Sequence, residues 1–135
     1  PTHGECEVKL IGNHLRVIHS DMELFNIKYF NLKGELVDQN VIPTIRIVRL
    51  LGQSNVFFES LSPDEKYLIV QGRKVWSVKI DEWKADLLAE DVWIDHVVQW
   101  LDNGYVLVIW HKPTFTKLGE ISPKPKKYWG FLKVY

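Results

Sequence analysis

Short, largely apolar segments alternate with polar turns along most of the chain. The segments are rich in β-branched and aromatic residues, which is typical of β-strands. We therefore expect strands at residues 7–11, 15–19, 24–31, 35–38, 56–61, 67–71, 75–80, 84–89, 96–100, 105–110 and 128–135. Residues 45–51 belong to the connection after the fourth strand. The expected fold class is all-β, with sheets built from antiparallel hairpins.

These strands fall into three groups, at about residues 5–40, 53–90 and 93–135, within one domain covering 1–135. The third group has one strand fewer than the other two. A weak repeat relates the second group to the third, because the segment from Asp64 aligns with the segment from Asp102. In both copies an acidic turn leads into a tyrosine, Tyr67 or Tyr105, and then into three aliphatic residues.

Two segments of the second group carry a family resemblance: residues 62–70, SPDEKYLIV, and residues 75–81, VWSVKID. They resemble β-propeller blades of the WD40-like or TolB-like type. In those blades a Ser-Pro-Asp-Gly-Lys turn precedes the second strand, and a Val-Trp or Val-Tyr pair opens the third. Glu65 occupies the position of the family's glycine, and the Gly-His and Trp-Asp dipeptides of WD40 repeats are absent.

The resemblance implies that the sheets are blade-like units. A propeller closes with at least four blades, and three units are too few. Three interpretations remain: a fragment of a larger ring, a partner that completes another molecule, or a β-protein that shares only the motif.

Residues 82–102 also allow a helix, which would make the fold α+β. Asp81 could cap it, and Trp93, Val97 and Trp100 follow one another at helical spacing. The β-branched and aromatic residues of the same segment favour strands, because their side chains lose rotamer freedom in a helix.

Charge is balanced over the whole chain, with 17 basic and 17 acidic residues, but it is locally uneven. Residues 81–102 contain seven acidic residues and one lysine, whereas residues 112–135 contain six lysines and one glutamate. In the basic part, Lys124, Lys126 and Lys127 precede Tyr128 and Trp129. Cations beside aromatic rings are typical of grooves that bind single-stranded nucleic acid, so nucleic-acid binding is the alternative function that we consider.

Six tryptophans are many for 135 residues, and most should pack in the core. Any that stay exposed on a sheet would form a docking surface, because Trp and Tyr dominate interface hot spots. Trp83, Trp93, Tyr128 and Trp129 are the expected partner-binding residues.

Catalytic motifs are not apparent in the sequence. Asp95 and His96 are adjacent, but neighbours in a strand point to opposite faces and cannot easily work together. His111 is the other histidine that a hydrolase could use. We expect no catalysis, cofactor, metal site or membrane span, and a cytoplasmic location.

The sequence therefore favours a non-catalytic protein-interaction module. It would dock a protein partner or a second copy of itself through open sheet edges and aromatic faces.

Overall fold

A computed structural model describes residues 5–21, 23–113 and 126–135 of the chain. Their fold is all-β with one short helix, as the alternating pattern predicts. The elements are β1 (Glu5–Ile11), β2 (His14–Ser20), β3 (Leu24–Asn31), β4 (Leu36–Pro43), α1 (Thr44–Leu51), β5 (Phe57–Leu61), β6 (Tyr67–Gln71), β7 (Val75–Lys79), β8 (Lys84–Ala89), β9 (Trp93–Trp100), β10 (Tyr105–His111) and β11 (Lys127–Lys133). All the expected strands are confirmed, and several are longer than expected.

The strands form three antiparallel sheets in which strands consecutive in sequence are neighbours. The first sheet has the order β1-β2-β3-β4, the second β5-β6-β7-β8 and the third β9-β10-β11. The chain divides into two compact units, one ending at Phe58 and the other beginning at Glu59. The first sheet lies in the first unit, and the third sheet lies in the second unit with nearly all of the second sheet. The assignment of 1–135 to a single domain stays a prediction.

Short polar side chains fix two of the turns of the first sheet. Oδ1 of Asp21 accepts the backbone N–H groups of Glu23 at 2.7 Å and Leu24 at 2.8 Å. These two hydrogen bonds favour the ionised carboxylate and hold the pKa of Asp21 below its usual value. Oδ1 of Asn31 likewise accepts the N–H groups of Lys33 and Glu35, both at 3.0 Å. Each turn is therefore closed by an Asx-type hydrogen-bond pattern.

The helix of this fold is α1, in the segment that the strand pattern leaves as a connection. Ile47 is fully buried, and Gly52 ends the helix in the left-handed conformation with its N–H bonded to the Val48 carbonyl at 2.9 Å. Burial of Ile47 outweighs the low helix propensity of β-branched residues in this segment. The helical alternative for residues 82–102 is wrong, because β8 and β9 occupy that region.

Two bulges in β9 explain why that region has helical spacing. Opposite β10, the strand contains one extra residue at Asp95 and another at Val98. Each bulge shifts the alternation by one residue, so Ile94, Val97 and Trp100 are buried at intervals of three. A bulged strand therefore imitates the period of a helix.

The second unit is held together by a buried apolar cluster that joins its two sheets. Ile69 and Val75 of the second sheet pack in this cluster with residues of the third sheet and the segment after it, namely Ile94, Val97, Trp100, Val106, Val108 and Val134. In β6 the consecutive residues Leu68, Ile69 and Val70 are all buried, so both faces of this strand are covered. A nearly continuous apolar run predicts such burial.

Two buried polar side chains connect the same two sheets. Gln71 is fully buried; its Nε2 donates to the Val92 carbonyl at 3.1 Å, and its Oε1 accepts the Ile94 N–H at 2.9 Å. Nε1 of Trp100 donates to Oγ of Ser60 at 2.8 Å. Because these contacts satisfy groups that water cannot reach, they fix how β6 and β5 meet β9.

We expect Gln71→Leu to lower the free energy of unfolding by about 2 kcal/mol, since it leaves the Ile94 N–H and the Val92 carbonyl without their buried partner. Urea unfolding measures this change. The matched variant Gln39→Leu alters an exposed glutamine of β4 and should change the value by less than about 0.5 kcal/mol. Equal effects of the two variants would contradict the role assigned to Gln71.

The turn before β6, which carries the propeller resemblance, is tightly hydrogen-bonded. The hydroxyl of Ser62 donates to Oδ1 of Asp64 at 2.6 Å, and the same oxygen accepts the Lys66 N–H at 3.0 Å. Partial burial acts to raise the pKa of Asp64, but these hydrogen bonds outweigh it and the pKa lies below its usual value. Glu65 has a φ of +62°, which explains why glycine suits this position.

The left-handed backbone at residue 65 predicts that Glu65→Gly is more stable than Glu65→Ala by about 1 kcal/mol. Both variants remove the same charge, so their difference isolates the backbone conformation. Thermal or urea unfolding of the two variants measures it. The assignment fails if alanine proves as stable as glycine.

Candidate interaction surface

The third sheet determines which side chains of β11 face outward. Leu132 and Gly130 lie opposite Val106 and Val108, two buried residues of β10. Because side chains alternate along a strand, the other row points away from that core. This outward row consists of Lys127, Trp129, Phe131 and Lys133.

Two aromatic rings dominate the outward row. Trp129 is 72% exposed and Phe131 is 58% exposed, and their ring centres lie 6.2 Å apart at an interplanar angle of 86°. On β10 their cross-strand neighbours are Ile109 and Leu107. We call the surface of Trp129, Phe131, Ile109 and Leu107 the outer patch.

The inner row of β11 anchors the strand. Tyr128 stacks on Trp110 with 4.9 Å between ring centres, and it keeps 37% of its surface exposed. After the strand, Val134 enters the core and its N–H donates to the Gly104 carbonyl at 2.8 Å. Tyr135 stacks on Tyr67 at 4.5 Å. The outer patch therefore stands on a fixed strand.

β11 lies at an edge of its sheet. Among the described residues it pairs with β10 alone, whereas the first and second sheets each contain a fourth strand at the corresponding place, β4 and β8. An edge strand presents backbone N–H and C=O groups that another strand can pair with.

The edge is strongly basic. Residues 126–135 contain three lysines, Lys126, Lys127 and Lys133, and no acidic residue. Nζ of Lys126 lies 5.4 Å from the ring centre of Tyr128, and Nζ of Lys133 lies 5.9 Å from that of Tyr105. Cations thus flank the outer patch at both ends of β11.

The sequence-predicted binding residues lie at several places. Tyr128 and Trp129 are on β11, and Trp93 begins β9 on the outward face, opposite His111. Trp83 lies in the turn between β7 and β8 with a φ of +54°; both it and Trp93 are half-buried. A binding role for these four residues stays a prediction. Lys126 and Lys127 are exposed, and Lys124 lies outside the described residues.

Phe131 is a member of the outer patch that sequence reasoning did not select. Its position two residues after Trp129, in the same strand, is the signal that could have found it. The sequence prediction was based on the lysines and on the two aromatic residues that directly follow them. It therefore did not include Phe131.

Asp95 and His111 form a side-chain pair that the sequence did not reveal. Nδ1 of His111 lies 2.8 Å from Oδ2 and 3.0 Å from Oδ1 of Asp95. The pair depends on the bulge at Asp95, which re-aims this carboxylate towards the neighbouring strand. His96, the sequence neighbour of Asp95, is opposite Ile109 instead. The carboxylate orients the imidazole. An imidazole oriented in this way is one component of an acid–base site.

The first sheet also exposes apolar residues. Val8, Leu10 and Leu36 are each more than half exposed. They are aliphatic, whereas binding hot spots are enriched in Trp and Tyr. The outer patch is therefore the stronger candidate surface.

Within the described residues, no group of three or more His, Cys, Asp or Glu side chains is placed to hold a metal ion. Among the described residues, no helix has the length and apolar character that a membrane crossing requires. Comparisons with known proteins found no matching family model, no similar curated protein and no similar solved structure.

The exposure of Trp129 predicts a specific fluorescence change. Trp129→Phe should remove the component of tryptophan emission that acrylamide quenches most strongly, because the other described tryptophans are buried or half-buried. Trp93→Phe is the matched control on the same face and should leave that component in place. If Trp129→Phe and Trp93→Phe remove equal amounts of the acrylamide-accessible emission, Trp129 is covered in solution.

Proposed function

We propose that this chain is a non-catalytic protein-interaction module that docks a partner through the outer patch and the edge of β11. The observation that carries the proposal is the exposure of Trp129 beside Phe131 on an edge strand. Large aromatic side chains that a partner can desolvate contribute most to binding energy. An edge strand adds backbone hydrogen bonds to the same contact.

The proposal includes the blade-like interpretation of the sheets. Each sheet is a meander of neighbouring strands, and Glu65 adopts the left-handed conformation at the position where propeller blades have glycine. Neighbouring blades share a hydrophobic core, and the second and third sheets share a buried apolar cluster. The outward face of the third sheet is then the natural place for a further layer.

Nucleic-acid binding is the less favoured alternative. Lys126 and Lys127 stand beside rings, as that function requires. However, Trp129 and Phe131 meet edge to face at 86°, so they do not offer two parallel platforms for successive bases. Residues 126–135 also lack arginine, which favours bidentate phosphate and base contacts.

The location that we propose is the cytoplasm. Cys6, the single cysteine, is exposed and carries no disulfide. A free surface thiol suits a reducing compartment.

The proposed docking surface is tested with a hydrophobic dye and analytical ultracentrifugation of the full chain. Trp129→Ser combined with Phe131→Ser should abolish more than about half of the dye fluorescence, because it removes the apolar rings of the outer patch. Leu32→Ser is the control, since Leu32 is 69% exposed in the turn between β3 and β4.

A photo-crosslinking residue at position 131 identifies what covers the patch in cells. We expect discrete protein adducts from position 131 and none from position 32. A chain that sediments as a monomer, binds no dye and gives no adduct from position 131 would refute the proposed function.

A further inference from the structure

A strand added beside β11 would contact every residue of its outward row. Lys127, Trp129, Phe131 and Lys133 occupy every second position, so they present charge, ring, ring and charge in that order. In paired strands, residues directly opposite each other share a face and interact. A strand alongside β11 would therefore place four alternate side chains against these four.

Charge complementarity determines the chemistry of those side chains. The terminal positions of the row are lysines, and neither forms an ion pair among the described residues, where the Asp95 carboxylate contacts His111. Opposite-charge cross-strand pairs are stabilising, and like charges directly opposite are destabilising. The best opposing residues are acidic at the two ends and apolar at the two central positions.

We propose that the edge of β11 binds an extended segment of a protein partner with the pattern acid-x-apolar-x-apolar-x-acid. This inference rests on the proposed function and specifies the partner's chemistry. The two acids pair with Lys127 and Lys133, and the two apolar side chains cover Phe131 and Trp129. Backbone hydrogen bonds along the edge supply the remaining contacts.

Self-pairing of β11 from two copies is disfavoured by the same charges. A symmetric antiparallel pair centred on Gly130 would set Lys127 of each copy opposite Lys133 of the other. Lysines on an edge strand commonly prevent such association. The exposed Trp129 and Phe131 remain available to a partner of opposite charge.

The first experiment measures the affinity of the full chain for three labelled peptides by fluorescence anisotropy. The matched peptide contains Glu-Thr-Val-Thr-Val-Thr-Glu. An isomer of the same composition, Val-Thr-Glu-Thr-Glu-Thr-Val, places its acids against the rings, and a third peptide replaces both glutamates of the first with lysine. We expect the matched peptide to bind at least about ten-fold more tightly than either control. Binding of all three with equal affinity would overturn the inference.

The second experiment tests the lysines. Lys127→Gln combined with Lys133→Gln should reduce the preference for the matched peptide over the lysine peptide by at least about ten-fold, while dye binding to the outer patch persists. The control removes two exposed lysines elsewhere, Lys33→Gln with Lys66→Gln, and should retain the preference. An unchanged preference in the first pair would overturn the inference.

Amide hydrogen exchange locates the contact, because strand addition protects the backbone N–H groups of β11 that point away from β10. Protection by the matched peptide supports the inference. Protection of the same groups in the free chain overturns it: a dependence on protein concentration then identifies a second copy, and no dependence identifies the chain itself. Tighter binding of a single-stranded oligonucleotide than of the matched peptide also overturns it.

The two proposals fail differently. If all three peptides bind with equal affinity, the proposed function stands and the partner chemistry is wrong. If no peptide binds, the partner chemistry is wrong. If the chain also sediments as a monomer, binds no dye and gives no adduct from position 131, the proposed function is wrong as well.

Discussion

The packing of the third sheet on the second fixes the orientation of every side chain in β11. Once Val106 and Val108 enter the shared core, the residues opposite them on β11 must face the same way. The strict alternation of a strand then leaves Trp129 and Phe131 on the opposite face. The surface that we assign to binding is therefore a consequence of core packing and cannot shift without moving the core.

Burial of the exposed Trp129 by a partner would release a substantial transfer free energy. A buried tryptophan removes roughly 200 Å² from water, which at about 25 cal/mol per Å² corresponds to several kcal/mol. With 72% of its surface exposed, Trp129 realises little of this within the folded chain. A partner that covers it gains most of that amount, less the cost of ordering its own segment. For this reason Trp129, more than the exposed aliphatic residues, identifies the outer patch as the candidate binding surface.

β-Branched and aromatic composition predicts the strands well, whereas a burial period of two, which is clear in β2, is a less reliable guide. That period fails in β9, where two single-residue bulges give Ile94, Val97 and Trp100 a period of three. Composition fails at α1, where β-branched residues form a helix because Ile47 is buried there. Both failures arise from tertiary contacts, which local composition does not encode.

The same lack of information on tertiary contacts limited the prediction of the candidate site. Charge and ring content select Lys126, Lys127, Tyr128 and Trp129 as candidates, because these residues are consecutive in sequence. The pairing of Asp95 with His111 required the register between β9 and β10, including a bulge. Which of the six tryptophans is exposed required knowing which row of β11 faces the core.

Rigid support distinguishes the outer patch from an exposed aromatic residue on a loose segment. Gly130 has no side chain on the inner row, and the indole nitrogen of Trp110 lies 3.9 Å from where its Cβ would be. Trp110 stacks on Tyr128, the residue directly before Trp129 in the chain. At the other end, Val134 and Tyr135 hold the segment against Gly104 and Tyr67. Because β11 is fixed on both sides of its exposed rings, a partner does not have to order them, and more of the burial energy is available for binding.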